Sequence, residues 1–325
     1  MHEKMVDDIL MTMIPILETP LGRLYQQDCL AVLAALEPES VDLAFADPPF
    51  NLGKQYSSDI NDSLAQQDYL SWCKSWLDGM IRVLKPGGSL FLWNLPKWNL
   101  LLGAFLAERL TLRHWIAVDI KYSLPISGRL YPSHYSLLYF VKGSRPLIFH
   151  PDRLPVPCCR RCGGELRDYG GYKNKMNPKG VNLSDVWTDI PPVRHAKYKK
   201  RDANALSLKL LDRIVSMASD PESLVLDPFG GSGTTFVAAE LTGRRWVGCE
   251  LDCSAILQRF DSLDADRLHL SQIRTRKNVL FTEQDLQRRK KAGNPLSSHY
   301  RLSNDSEICT CNKEADNQND LFTSS

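Results

Sequence analysis

The sequence predicts an α/β fold: a largely parallel sheet with helices packed on its faces. Three observations predict it. Apolar runs of strand length alternate with segments whose apolar residues recur at helical spacing. A glycine turn, Gly230 to Gly233, stands between an apolar run and a helix-forming segment. A basic, loop-rich stretch interrupts this pattern, leaving regular elements on both sides of it. With 325 residues, of which 43% are hydrophobic and 24% charged, the chain has room for one domain of about 200 to 250 residues plus an insertion. No apolar run approaches the roughly 18 residues of a membrane span.

Taken in order, VDLAFA at 41–46 reads as a buried strand ending at Asp47. Residues 64–84 carry apolar side chains at helical spacing, and Lys85, Pro86, Gly87 and Gly88 stop that helix before a strand at 89–93. The stretches near 115–123 and 134–143 read as two strands of an antiparallel edge hairpin. From Gly143 to about Asn204 periodicity fades and Pro, Gly, Lys and Arg accumulate, which marks an inserted module. Regular structure resumes with a helix at 206–219, a strand at 223–229, the glycine turn, a helix through about Leu241 and a strand at 244–251. Four segments follow: 20–142 and 206–292 as the two halves of one domain, 143–205 as the insertion, and a polar tail at 293–325.

The net charge of +2 hides an asymmetry. Residues 143–205 hold thirteen Lys and Arg against six Asp and Glu, an excess of seven, which leaves the remainder at −5. Such a stretch suits a polyanion such as nucleic acid, and equally a solvated loop face. The first residues lack a basic segment followed by an apolar core, so a cytoplasmic protein is expected, with no membrane partner. Nine cysteines without a paired framework fit reduced thiols.

Two motifs carry chemistry. The first is Asp227, Pro228, Phe229, Gly230, Gly231, Ser232, Gly233 and Thr234 between strand and helix, where glycines let a ligand approach the backbone and the helix start offers unpaired amides. No Lys follows the glycines, so a Walker-type loop is absent. The next strand ends at Glu250, where an acid can accept from both hydroxyls of a ribose. The second motif is Asp47, Pro48, Pro49 and Phe50 at the end of a buried strand. Two prolines stiffen the turn and remove two amide donors, so the Asp47 carboxylate and Pro48 carbonyl form an acceptor pair for an amino group, with Phe50 as a ring on which a planar base stacks.

Together the DPPF turn, the DPFGGSGTT loop and the strand ending in Glu250 resemble the amino-group DNA methyltransferases, and their order resembles the permuted beta class. The resemblance covers roughly residues 20 to 255. It implies a circularly permuted Rossmann-like methyltransferase sheet with an inserted target-recognition module, S-adenosylmethionine over Gly230 to Gly233, Glu250 on its ribose and Asp28 near its adenine. It also implies duplex DNA as partner, a cognate restriction endonuclease as a second, and adenine as the target base, because an Asp-first turn is commoner in adenine enzymes. Cytosine N4 is the alternative. Where relatives often carry Lys-Pro ahead of the helix before the glycine loop, this chain has Leu206 and Ser207.

The chemistry needs no nucleophilic residue, because S-adenosylmethionine carries an activated methyl group and the protein must align an amine lone pair with it. An ordinary Asp pKa of about 3.9 makes Asp47 an electrostatic and orienting group rather than a base. Attack through a cytosine carbon would use Pro157 and Cys158, but that pair lies in the basic insertion, away from the strand ends. Methylation of RNA or of a protein amide is another reading, and a catalytically silent nucleic-acid-binding module is a third. Finally, Cys159 and Cys162 have the spacing of half a zinc knuckle, with His150, Cys158 and His195 nearby; reduced thiols are the competing reading.

Overall fold

The computed structural model describes residues 13–53, 63–120, 127–128, 130–154, 171, 175, 181–191 and 205–275. The strands are β1 (Leu17–Glu18), β2 (Gly22–Tyr25), β3 (Val41–Ala46), β4 (Leu84–Asn94), β5 (Thr111–Asp119), β6 (His134–Val141), β7 (Arg153–Leu154), β8 (Val181–Asn182), β9 (Val186–Trp187), β10 (Leu224–Asp227) and β11 (Arg245–Cys249). The helices are α1 (Cys29–Ala35), α2 (Gln66–Val83), α3 (Pro96–Ala107), α4 (Leu208–Ala218), α5 (Thr234–Glu240), α6 (Ser254–Phe260) and α7 (Asp264–Thr275). Among the described residues no helix is long and apolar enough to cross a membrane.

Nine strands form one sheet in the order β1-β2-β11-β10-β3-β4-β6-β5-β9. Its centre, from β2 through β4, is parallel, and β6 pairs antiparallel with both β4 and β5. Chain order therefore jumps: β10 and β11, late in the sequence, sit between β2 and β3. This is the permuted, Rossmann-like order expected. The larger of two contact units, Met1–His150 with Ser184–Gln272, holds this sheet, while Pro151–Leu183 belongs to the smaller unit and contributes the antiparallel pair β7 and β8.

Burial follows the sequence pattern. Helix α2 places Tyr69, Cys73, Trp76, Leu77, Met80 and Val83 inward at successive turns, and β3 is buried along nearly its whole length. Three elements differ from expectation. Strand β4 starts at Leu84 rather than at Ser89: a bulge opposite Val41–Leu43 lets Lys85 to Gly88 continue the strand, with Gly87 at φ +79°. The β5–β6 hairpin forms, but β6 lies inside the sheet, because β6 also pairs with β4 and β9 takes the edge beyond β5. Helix α3, started by Pro96 in its first turn, was not anticipated from the pattern.

Strand β9 comes from within the 143–205 span and is anchored to the large unit. Asp189 meets Arg213 through two bonds of 2.9 and 2.6 Å and Lys209 at 2.7 Å, with Arg213 over the Trp187 ring. Burial alone would raise the Asp189 pKa, but the Arg213 bonds and charge, helped by Lys209, hold it well below the usual carboxylate range. Most basic residues of that span, Cys158, Cys159, Cys162 and His195, and the whole 293–325 tail lie outside the described residues.

Candidate active site

Strands β10 and β3 are parallel neighbours, with Val225 opposite Leu43 and Leu226 opposite Ala44. The glycine turn and the DPPF turn therefore leave the same edge of the sheet side by side. That edge, outside the carboxyl ends of strands at a reversal of chain order, is where open α/β sheets bind ligands.

The glycine turn is built from the inside. Asp227 is buried, accepts from the Phe229 amide at 2.9 Å and from the Thr235 hydroxyl at 2.5 Å, and so ties the end of β10 to the start of α5. Burial pushes its pKa up to about 7, with the Glu250 charge adding to the effect and the two hydrogen bonds opposing it. The Gly230 amide donates to the Cys249 carbonyl, the Gly233 amide to the Gly230 carbonyl, and Gly233 caps α5 at φ +74°. Arg259 donates to the Ser232 carbonyl at 3.0 Å and the Thr234 hydroxyl at 2.9 Å while held by Asp266 through two bonds, which fixes the outer wall. Ser232 and Thr234 are buried, and Thr234 also donates to the Leu206 carbonyl, so the departing Leu206–Ser207 segment touches the loop through its backbone.

Glycine is needed at these positions for two different reasons. A Cβ at Gly230 would stand 2.7 Å from the Phe236 ring and one at Gly248 would stand 2.3 Å from it, so those glycines serve packing. A Cβ at Gly231, φ +51°, meets nothing nearer than 3.9 Å, so here the turn opens on space. Glu250 spans that opening. Its carboxylate accepts from the Gly231 amide at 2.7 Å and the Leu251 amide at 2.8 Å, one on each oxygen, and each oxygen keeps capacity for a further donor such as a sugar hydroxyl. Asp28 caps α1 by accepting from the Leu30 amide at 2.8 Å and stays exposed. Its charge and that of Glu250 both act on the neighbouring Cys29 thiol, which burial first and these acids second push up to about 12. Asp28, Glu250 and the turn thus share one end of the sheet.

The DPPF turn is built from behind. The Tyr69 hydroxyl donates to the Pro49 carbonyl and the Trp98 indole to the Phe50 carbonyl, both at 2.7 Å. Two of the turn's carbonyls therefore point into the protein rather than outward. Phe50 is partly exposed and faces Tyr135, ring centroids 6.2 Å apart, with Tyr135 against Trp93 at 4.9 Å. Burial, then the Asp47 charge, raises the Tyr135 pKa, which puts the Asp47 carboxylate beside this aromatic wall.

Tyr69, Trp98, Tyr135 and Arg259 escaped sequence reasoning. Tyr69, Trp72 and Trp76 do show in the sequence as an aromatic stripe at helical spacing, but the stripe does not reveal which turn it meets. For the zinc reading, Cys159 and Cys162 lie outside the described residues. His150 pairs with Asp220 at 2.6 Å, and no group of three metal-ligating side chains occurs among the described residues.

A DNA methylase family model matches residues 41–258. The Type II methyltransferase M.BamHI of Bacillus amyloliquefaciens is 51% identical over 288 residues, covering 88% of this chain and 68% of its own. The DNA adenine methyltransferase YhdJ of Escherichia coli K12 is 31% identical over 246 residues, covering 73% and 79%. Among solved structures, the cytosine-N4-specific PvuII DNA methyltransferase superposes with a TM-score of 0.57 at 20% identity, covering 81% of this chain and 94% of its own. At that identity the likeness shows the fold alone.

Proposed function

This chain belongs to the DNA methylase family as an S-adenosylmethionine-dependent DNA methyltransferase, and we propose that the Asp47 carboxylate and Pro48 carbonyl receive the exocyclic amine of a target base. The observation that carries this reading is the pairing of turns on adjacent strands: one presents acceptors, the other an opening at Gly231 beside Glu250. The residues present fit the cofactor, since of the turn's three glycines Gly231 alone opens on space, and Glu250 keeps acceptor capacity there. Gly230 to Gly233 would lie along it, Glu250 would hold its ribose, and Asp28 would stand near its adenine. Asp227, Phe229 and Thr234 shape the turn from within. When bound, S-adenosylmethionine supplies a methyl group activated on a sulfonium.

The chain's own residues do the rest. Two acceptors on one amine favour a pyramidal nitrogen over one conjugated with the ring, and they stabilise the positive charge that grows there. Asp47 acts as a fixed anion, and the proton leaves to solvent. Phe50, against Tyr135, offers the face on which a base turned out of the duplex rests. The two acceptors serve adenine N6 and cytosine N4 alike. Adenine is supported by the Asp-first turn and by the likeness to YhdJ, whose name gives adenine; cytosine N4 is the alternative that the same acceptor pair would serve. The basic 143–205 span is the proposed reader of DNA sequence. A restriction endonuclease with the same recognition sequence is the proposed companion, on the likeness to a Type II methyltransferase.

The test is transfer of labelled methyl from S-adenosylmethionine to duplex DNA, RNA and bulk protein offered in competition. Label in DNA alone is the expected result. Label in RNA or protein, or cofactor binding with no transfer to any of them, contradicts the reading.

A further inference from the structure

The DPPF turn has three successive carbonyls, at Pro48, Pro49 and Phe50, and only one can serve with Asp47 as the partner of an amine. We propose that Tyr69 and Trp98 are positioning residues that select it, by occupying the other two; this rests on the function proposed above. The Pro49 carbonyl takes the Tyr69 hydroxyl and the Phe50 carbonyl takes the Trp98 indole, each at 2.7 Å. The direction of the Tyr69 bond is enforced from behind. Asn94 is fully buried, its side-chain oxygen accepts from the Leu95 amide at 2.7 Å, and its NH2 group therefore donates to the Tyr69 oxygen at 3.3 Å. With its oxygen engaged as an acceptor, the Tyr69 hydroxyl sends its own proton to Pro49.

Fixing two carbonyls fixes two successive peptide planes, and the proline rings lock φ at 48 and 49. Little freedom remains to the Pro48 carbonyl, which has no hydrogen-bond partner among the described residues. The same helix face continues toward the cofactor turn. Tyr69, Trp72 and Trp76 follow one another at three- and four-residue spacing along α2, and Phe229 packs edge-on against Trp72 at 5.7 Å and Trp76 at 5.0 Å. One helix thus pins the acceptor turn at one end and the glycine turn at the other, so the separation of amine and cofactor is set by a rigid element rather than by two loops. A donor lost at Tyr69 frees the Pro49 carbonyl to turn outward and compete for the amine, which degrades alignment without touching the cofactor opening.

The test compares wild type with Tyr69→Phe and Trp98→Phe, using labelled S-adenosylmethionine and unmethylated genomic DNA fragments. Tyr69→Phe keeps the ring and deletes the hydroxyl, which removes the donor to Pro49 and the acceptor that Asn94 uses. The expected result is a fall in kcat of about tenfold, with KM for DNA and for S-adenosylmethionine each within about twofold of wild type. Trp98→Phe carries the same expectation and stands in if Tyr69→Phe does not fold. A kcat within about twofold of wild type in a folded variant overturns the inference, as does a loss of kcat that falls in step with cofactor affinity and melting temperature. If wild type itself transfers no label to DNA, the functional reading fails first, which separates the two outcomes.

Discussion

Two neighbouring parallel strands lead into the same dipeptide, Asp47-Pro48 just past β3 and Asp227-Pro228 at the end of β10, and the chain uses the two aspartates in opposite ways. Asp227 is buried and spends both oxygens inside the protein, on Phe229 and Thr235, so that the turn it closes can open outward at Gly231. Asp47 stands half-buried beside Tyr135 and Phe50, in a turn whose carbonyls at 49 and 50 are the ones spent inside. The aromatic residues invert too: Phe229 packs inward on Trp72 and Trp76, while Phe50 stays partly exposed. One turn hides its acid and presents space; the other hides carbonyls and presents its acid. The difference comes from what lies behind each turn. Side-chain donors from α2 and α3 stand behind the first, and the start of α5 behind the second.

Removing the Asp47 carboxylate has the largest expected effect. Asp47→Ala is expected to lower methyl transfer by about 10²- to 10³-fold while leaving S-adenosylmethionine affinity within about twofold, read by labelled transfer beside calorimetry. Wild-type turnover in that variant ends the assignment. Gly248→Ala addresses the packing behind the cofactor turn: its Cβ would stand 2.5 Å from the Asp227 carbonyl as well as against Phe236, so a loss of about 1–3 kcal/mol in denaturant unfolding is expected. Gly231→Val, at the open position, should instead act on the ligand and weaken cofactor binding about tenfold or more, beyond any cost of its positive φ. Equal effects of the two glycine variants on stability and affinity would erase the distinction between packing and opening.

The smallest effect is in pH. Because the folded pKa of Asp227 is raised to about 7 from 3.8, its contribution to stability is full below the unfolded value and is lost as pH rises through about 7. Wild type should therefore lose melting temperature relative to the non-titrating Asp227→Asn variant between pH 4 and pH 8. Wild type gaining on the variant as pH rises would mean that Asp227 is ionised and stabilising in the folded chain.

Much of this was legible in the sequence, for reasons that can be named. Strands β3, β10 and β11 are mostly apolar runs with an acid at or just past the end, and helix α2 has a clean buried stripe, so local pattern and tertiary position agree. Strand β9 is two residues long and owes its place to its pairing with β5 and to Asp189 meeting Arg213, neither of which leaves a local trace. The start of β4 was hidden because Lys-Pro-Gly-Gly ordinarily breaks structure, whereas here a bulge absorbs it. At the site, Asp47 and Asp227 read alike because burial is set by neighbours distant in sequence. Tyr69 and Trp98 were silent for the same reason: they reach the turn across 20 and 48 residues.

If the acceptor turn works on an exocyclic amine of DNA, the methylated nucleoside itself carries the proof, and mass spectrometry reads it. Duplex DNA incubated with S-adenosylmethionine and either wild type or Asp47→Ala is digested and its methylated nucleosides identified. N6-methyladenine or N4-methylcytosine is expected from wild type, the mass assigning the base, and neither above background from the variant. Methyl on cytosine C5, or an unchanged yield from Asp47→Ala, would contradict that role of the turn.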